Sequence, residues 1–219
     1  MNITERIDAL ADRIEAHKFL TLHEVKSQPG LSAAAITQLE HDFGVTLPQP
    51  VRDLYSDVNG FLLHWTMRPD LRGVTRIIGN DARYELNPKS ANLEYPDAII
   101  QFMPLEEVLS FDWSPQFFPD DQSTYEYRGE RLDQSQIRAQ LRPFDECGLF
   151  CAAAFCDASF ERVILVTDSM TNWNDSVVVS FEEYLDFVFH GAGLIEARMD
   201  LFVRGSRVLQ RDLEFVHDA

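Results

Sequence analysis

Apolar residues recur at helical spacing near both ends of the chain and run consecutively in its middle, and this partition constrains the fold most. Ile3, Ile7, Leu10, Ala11 and Ile14 mark one face of a first amphipathic helix. The Gln28-Pro29-Gly30 break ends a short extended piece over Phe19–Val25. Ser32 can cap a second helix with the stripe Ile36, Leu39 and Phe43, and Gly44 follows where a left-handed C-terminal residue would fall. Leu47-Pro48 predicts an extended connector, and Pro50 the first position of a third helix. Val51, Leu54, Tyr55 and Val58 line that helix, and Asn59-Gly60 is expected to end it, since both residues tolerate positive φ.

Strand signals then take over. Phe61–Met67 is the first firm strand, and Arg76–Tyr84 and Ala98–Met103 follow, separated by an Asn/Pro/Ser-rich loop. Pro104–Val108 reads as a proline-started helical turn. Residues 112–147 alternate polar and aromatic clusters around Pro115, Pro119 and Pro143, which favours no single period. Leu149–Cys156 and Arg162–Thr167, joined by Asp157-Ala158-Ser159, predict an antiparallel hairpin, with Ser176–Val179 a further short strand. Ser180-Phe181-Glu182-Glu183 is a capping box that opens a helix with Phe181, Leu185, Val188 and Phe189 on its apolar face. Gly191 and Gly193 end it, Leu194–Phe202 forms another helix, and Val208–Val216 suggests a last one. Helices at both ends of a strand-rich middle imply an α+β fold, with a largely antiparallel central sheet and the terminal helices packed around it.

Charge narrows the possible partners. Nineteen Lys and Arg stand against 36 Asp and Glu, a net charge of −17 over 219 residues. A nucleic-acid binder needs a basic stripe to displace phosphate counterions, and an anionic membrane attracts the same cations, so both surfaces are excluded. The acids are spread along the chain, as in a solvated surface, or as in one that meets a basic partner. Met1–Arg6 leads into mixed charge and no apolar run approaches about 20 residues, so neither a signal peptide nor a membrane span is expected, and the cytoplasm is the expected location.

Reactive constellations are sparse. Cys147, Cys151 and Cys156 have C-x3-C-x4-C spacing with no nearby His, and their apolar setting reads as core thiols and not as a zinc site. The six His are scattered, and no Walker loop, G-x-G-x-x-G, H-E-x-x-H or G-x-S-x-G motif occurs. No cofactor, metal or catalytic residue is expected.

The segment Ile36–Pro48, continuing through Val51, Leu54, Tyr55 and Asn59-Gly60, resembles the signature of the SUKH superfamily, the Smi/Knr-like domains. Glu40, Phe43, Gly44, Leu47, Pro48, Asn59 and Gly60 fall at matching positions, and Met103–Val108 and Ser180–Leu185 resemble later parts of the family's course. Val51 and Phe61 depart from it, standing where an aromatic residue and a glycine are common. The resemblance implies one Smi/Knr-like domain over residues 1–219, with a core of about 30–190 and a helical extension over 191–219. Glu40, the one ionisable member, is either an acceptor for backbone N–H groups of the next helix or a ligand contact.

The resemblance also implies a function. Bacterial members are mostly immunity proteins that neutralise toxins, often nucleases, so the expectation is a non-enzymatic cytoplasmic protein that binds a basic toxin domain. A nuclease needs a basic groove for which an acidic inhibitor can compete. Expected contact residues are Asp112, Trp113, Phe117, Phe118, Asp120, Asp121, Tyr125 and Tyr127, with Trp173 and Asp175. Interface centres favour aromatics, and acids pair with a basic partner; for any one of these residues, though, the plainer reading is an aromatic that fills the core or an acid that faces water. An intracellular scaffold of the Smi/Knr type is the alternative, followed by a metal enzyme built on Asp120-Asp121 and a His.

Overall fold

Local capping chemistry sets the first helices. In the computed structural model, which describes residues 2–71, 75–79, 83–85, 96–110, 124–148, 151–167, 170–204 and 212–217, α1 spans Ile3–Glu15. The Asn2 side chain accepts from the Glu5 N–H while Glu5 accepts from the Asn2 N–H, and Ile3, Ile7, Leu10 and Ile14 are buried. Ser32 caps α2 (Ala33–Phe43), and Gly44 ends it at φ 63°, where a side chain would be strained. Ile36 is fully buried, but Phe43 is 36% exposed, so the buried stripe of α2 is narrower than its sequence suggests.

Two expectations at the next junction are corrected. Pro48 is the extended residue before α3 (Gln49–Asp57), which puts Pro50 at the second helical position. Asn59-Gly60 does not cap α3: the backbone is already extended at Val58, and both residues belong to β2 (Val58–Met67). The ladder takes over where the helix stops, because Val58 pairs with Pro29 at the end of β1 (Leu20–Pro29). β1 therefore continues through the break expected at Gln28-Pro29. Gly60 still adopts φ 109°, and a Cβ there would press on Gln28 and on Pro104 at 3.3 Å.

The main sheet has the order β1-β2-β5-β8-β9-β10-β11, every neighbour antiparallel. The later strands are β5 (Ala98–Phe102), β8 (Arg142–Glu146), β9 (Cys151–Phe155), β10 (Arg162–Thr167) and β11 (Val179–Ser180). The expected hairpin is β9–β10, with Phe155 opposite Val163. One face carries Leu63, Trp65, Ile100, Phe144, Phe155 and Val163 into the principal core, beneath α1, α3 and α6 (Phe181–His190). Alternation along β9 and β10 sends Ala152, Ala154, Cys156, Ile164 and Val166 to the other face. There a small layer of β6 (Tyr125–Tyr127), β7 (Glu130–Leu132) and α5 (Gln134–Gln140) covers them. Both faces of β9 are buried, which is why its sequence is a continuous apolar run.

Of the helix expected over Val208–Val216, residues 208–211 lie outside the described residues, and the described remainder is not helical but leads into a strand. β12 (Glu214–His217) pairs with β3 (Thr75–Ile78), which pairs with β4 (Arg83–Glu85), and Phe215 packs edge-on to Trp65 at 6.0 Å. The preceding α7 (Ile195–Arg204) is the expected helix. Ala197, Leu201 and the α1 isoleucines belong to the principal core, which therefore reaches beyond residues 30–190 at both ends. With α4 (Leu105–Ser110) beside β8, helices surround a large antiparallel sheet, an α+β architecture. Among the described residues no helix is long and apolar enough to cross a membrane.

Candidate functional site

Three helices on the core side of the sheet, α1, α3 and α6, touch one another pairwise. Their outer faces leave a cleft of about 460 Å³, lined by Asp53 and Asp57 of α3, Glu182 and Asp186 of α6, and Arg6 of α1. The acids arise from helical geometry. Asp53/Asp57 and Glu182/Asp186 are both i,i+4 pairs, and each pair occupies the face opposite its helix's buried stripe. Asp57 accepts from the Ile3 N–H at 2.8 Å, Asp53 from Gln49 at 2.6 Å, and Asp186 pairs with Arg6 at 2.8 Å. Arg6 also lies over the Phe189 ring at 4.3 Å. Four carboxylates against one guanidinium make the cleft a place for ammonium or guanidinium groups. A smaller cavity of about 270 Å³ adjoins it through Pro50 and Glu182 and is floored by Pro48, Phe160 and Phe181.

The residues that carry the resemblance are architectural. Glu40 Oε1 accepts from the Leu47 N–H at 2.8 Å, and its Oε2 pairs with Arg52, so both oxygens are used in tying α2 to the connector and to α3. Partial burial opposes its charge, but Arg52 and the Leu47 N–H outweigh it and hold the carboxyl below its ordinary value. Leu47 is buried beside Pro48, and Gly44 turns the chain. The Asn59 side chain accepts from the Leu105 N–H at 2.9 Å, capping α4 from a distant strand.

Of the expected contact residues, Asp112, Trp113, Phe117, Phe118, Asp120 and Asp121 lie outside the described residues. Tyr125, Tyr127 and Trp173 are buried in the small second core, not displayed on a surface. Tyr125 stacks on Trp173 at 6.1 Å, Trp173 donates to the Leu165 carbonyl at 3.1 Å, and Tyr127 donates to that of Cys156. Covering β9 and β10 takes large side chains, which is what these three supply. Asp175 alone among the described members is exposed.

A second polar cluster is wholly interior. Asp145 accepts from Tyr184 at 2.7 Å, from Arg198 at 3.0 Å and from the Gln101 N–H at 2.8 Å, and Arg198 also donates to the Ile99 carbonyl. Burial pushes the Asp145 carboxyl above its ordinary value while Arg198, Tyr184 and Gln101 pull against that shift. For Arg198 burial opposes the charge, but Asp145 outweighs it and keeps the guanidinium protonated. Cys147, Cys151 and Cys156 are buried free thiols, as expected, the first two 3.5 Å apart. Among the described residues no group of three His, Cys, Asp or Glu could hold a metal ion.

No family model matches the chain, and no curated protein matches it. The acids of the cleft were missed as site residues in the sequence. The i,i+4 acid pairs on two amphipathic stripes were the available signal, but their convergence depends on α3 and α6 packing across more than 120 residues of intervening chain.

Proposed function

We propose that this chain is a non-enzymatic, cytoplasmic immunity protein of the Smi/Knr-like (SUKH) kind, which binds and neutralises a cognate toxin through that toxin's basic surface. The observation that carries the reading is the cleft between α1, α3 and α6, where Asp53, Asp57, Glu182 and Asp186 face a single Arg6 on a chain of net charge −17. A toxin that acts on nucleic acid must present cations to phosphates, and an acidic protein that occupies those cations blocks the substrate. Further support comes from the Glu40–Gly44–Leu47–Pro48 connector, whose members act as a structural unit in keeping with a fold signature.

The test is co-expression with a toxin encoded beside the gene. The expected outcome is growth rescue together with a complex that co-purifies. The double substitution Asp53→Lys, Glu182→Lys should abolish rescue while the thermal midpoint stays within a few degrees, because both side chains are exposed. Failure of the wild-type chain to protect against that toxin or to bind it would overturn the reading.

A further inference from the structure

Strand alternation sorts the three cysteines into one pair and one spectator. Cys147 and Cys151 flank the β8–β9 turn, one step beyond the paired residues Glu146 and Ala152, so they face each other across the antiparallel ladder. The Cys147 N–H donates to the Cys151 carbonyl at 3.0 Å, which holds that register. Residues directly opposed in this way have Cα atoms about 4.5–5.5 Å apart, inside the roughly 4.4–6.8 Å range that a disulfide spans. The two sulfurs already touch at 3.5 Å on the principal-core side of the sheet. Cys156 points to the opposite face, into the second core with Tyr127 and Trp173, and cannot reach either of them.

We propose that Cys147 and Cys151 form a redox modification site, a vicinal dithiol that a hydroperoxide converts to an intramolecular disulfide without rearranging the strands. Closure brings two sulfurs that already touch, at the end of the β8–β9 ladder, to bonding distance. Cys151 is the sulfur that reacts first. It is 6% exposed against 1% for Cys147, and it accepts the Cys147 S–H. That hydrogen bond lowers the Cys151 thiol against the opposing effect of burial, with the Arg198 guanidinium assisting, whereas Cys147 retains its proton and is raised.

With hydrogen peroxide the chemistry balances in two steps. The Cys151 thiolate attacks one peroxide oxygen, an S–O bond forms, the O–O bond breaks, and the departing hydroxide takes a proton to leave as water. Cys147 then loses its proton and attacks the Cys151 sulfenic sulfur. The S–S bond forms, the S–O bond breaks, and a second water leaves. Overall two thiols are oxidised by two electrons and one peroxide is reduced to two waters.

The site is tested on the native full-length chain with hydrogen peroxide, followed by denaturation in an alkylating reagent and peptide mass spectrometry. The expected product lacks two hydrogens, carries the Cys147–Cys151 bridge, retains an alkylatable Cys156, and returns to three alkylatable thiols with dithiothreitol. In Cys147→Ala, oxidation should stop at a Cys151 sulfenic acid trapped by a cyclic dione, while Cys156→Ala should bridge as the wild type does. Failure of the wild-type pair to bridge, a bridge that includes Cys156, or separate over-oxidation of Cys151 with Cys147 left free would each overturn the proposal. The decisive measurement is on the unmodified chain, so poor folding of a variant does not affect it.

Discussion

Asp145 and Arg198 show how much one buried pair can control. Their side chains are 0% and 1% exposed, and the carboxylate is satisfied by Arg198, Tyr184 and the Gln101 N–H together. Removing the charge from one partner leaves the other buried and uncompensated, which costs about 3–5 kcal/mol. Asp145→Asn should therefore lower unfolding free energy by about that much in a denaturant titration, and Tyr184→Phe, which deletes one hydrogen bond, by about 1–3 kcal/mol. A neutral Asp145→Asn would mean that the pair is not formed in solution. Neither role was legible in the sequence. Asp145 lies in the stretch 112–147, where no period prevails, and an arginine on an amphipathic helix is assigned to solvent by default. The three cysteines were legible as core residues, because an apolar run with no His beside it leaves packing as their role. Which of them touch was not, since that depends on the turn that reverses β8 into β9.

Among the elements, the connection between α2 and α3 is held by Glu40, which is only 11% exposed and bridges the Leu47 N–H and Arg52. Glu40→Ala removes both interactions and should cost about 1–2 kcal/mol. The same group gives a pH signature. Its folded pKa lies below the ordinary 4.5, so its stabilisation is complete above that value and is lost as pH falls through the lower folded one. Thermal midpoints of wild type and Glu40→Ala should therefore converge below about pH 4.5, and parallel curves there would contradict the Glu40–Arg52 bridge. Element boundaries set by local chemistry were readable: Ser32, Gly44 and the Ser180/Glu183 box all act as their residue types require. The misreadings share a cause. Asn59-Gly60 and the described end of the segment up to Val216 carry local signals for a helix end and a helix, but the ladders that pair Val58 with Pro29 and Glu214–Val216 with β3 draw them into strands.

On the scale of the whole molecule, charge and topology act together. If the cleft meets a basic toxin, the association rate should fall by about tenfold between 0.1 and 1 M salt, where the screening length shortens from about 10 to 3 Å, while dissociation changes little. Neutralising Asp53 and Glu182 should flatten that dependence in stopped-flow measurements. A salt-independent rate would leave the acids as a solubility device. The sequence by itself determined the fold class, the caps and the acid excess, because periodicity, turn chemistry and composition are local or summed properties of the chain. Only the tertiary structure decided which acids share a cleft, which cysteines oppose each other and which aromatics are hidden. Those facts depend on strand register and on helices meeting across long separations, and no local pattern carries that information.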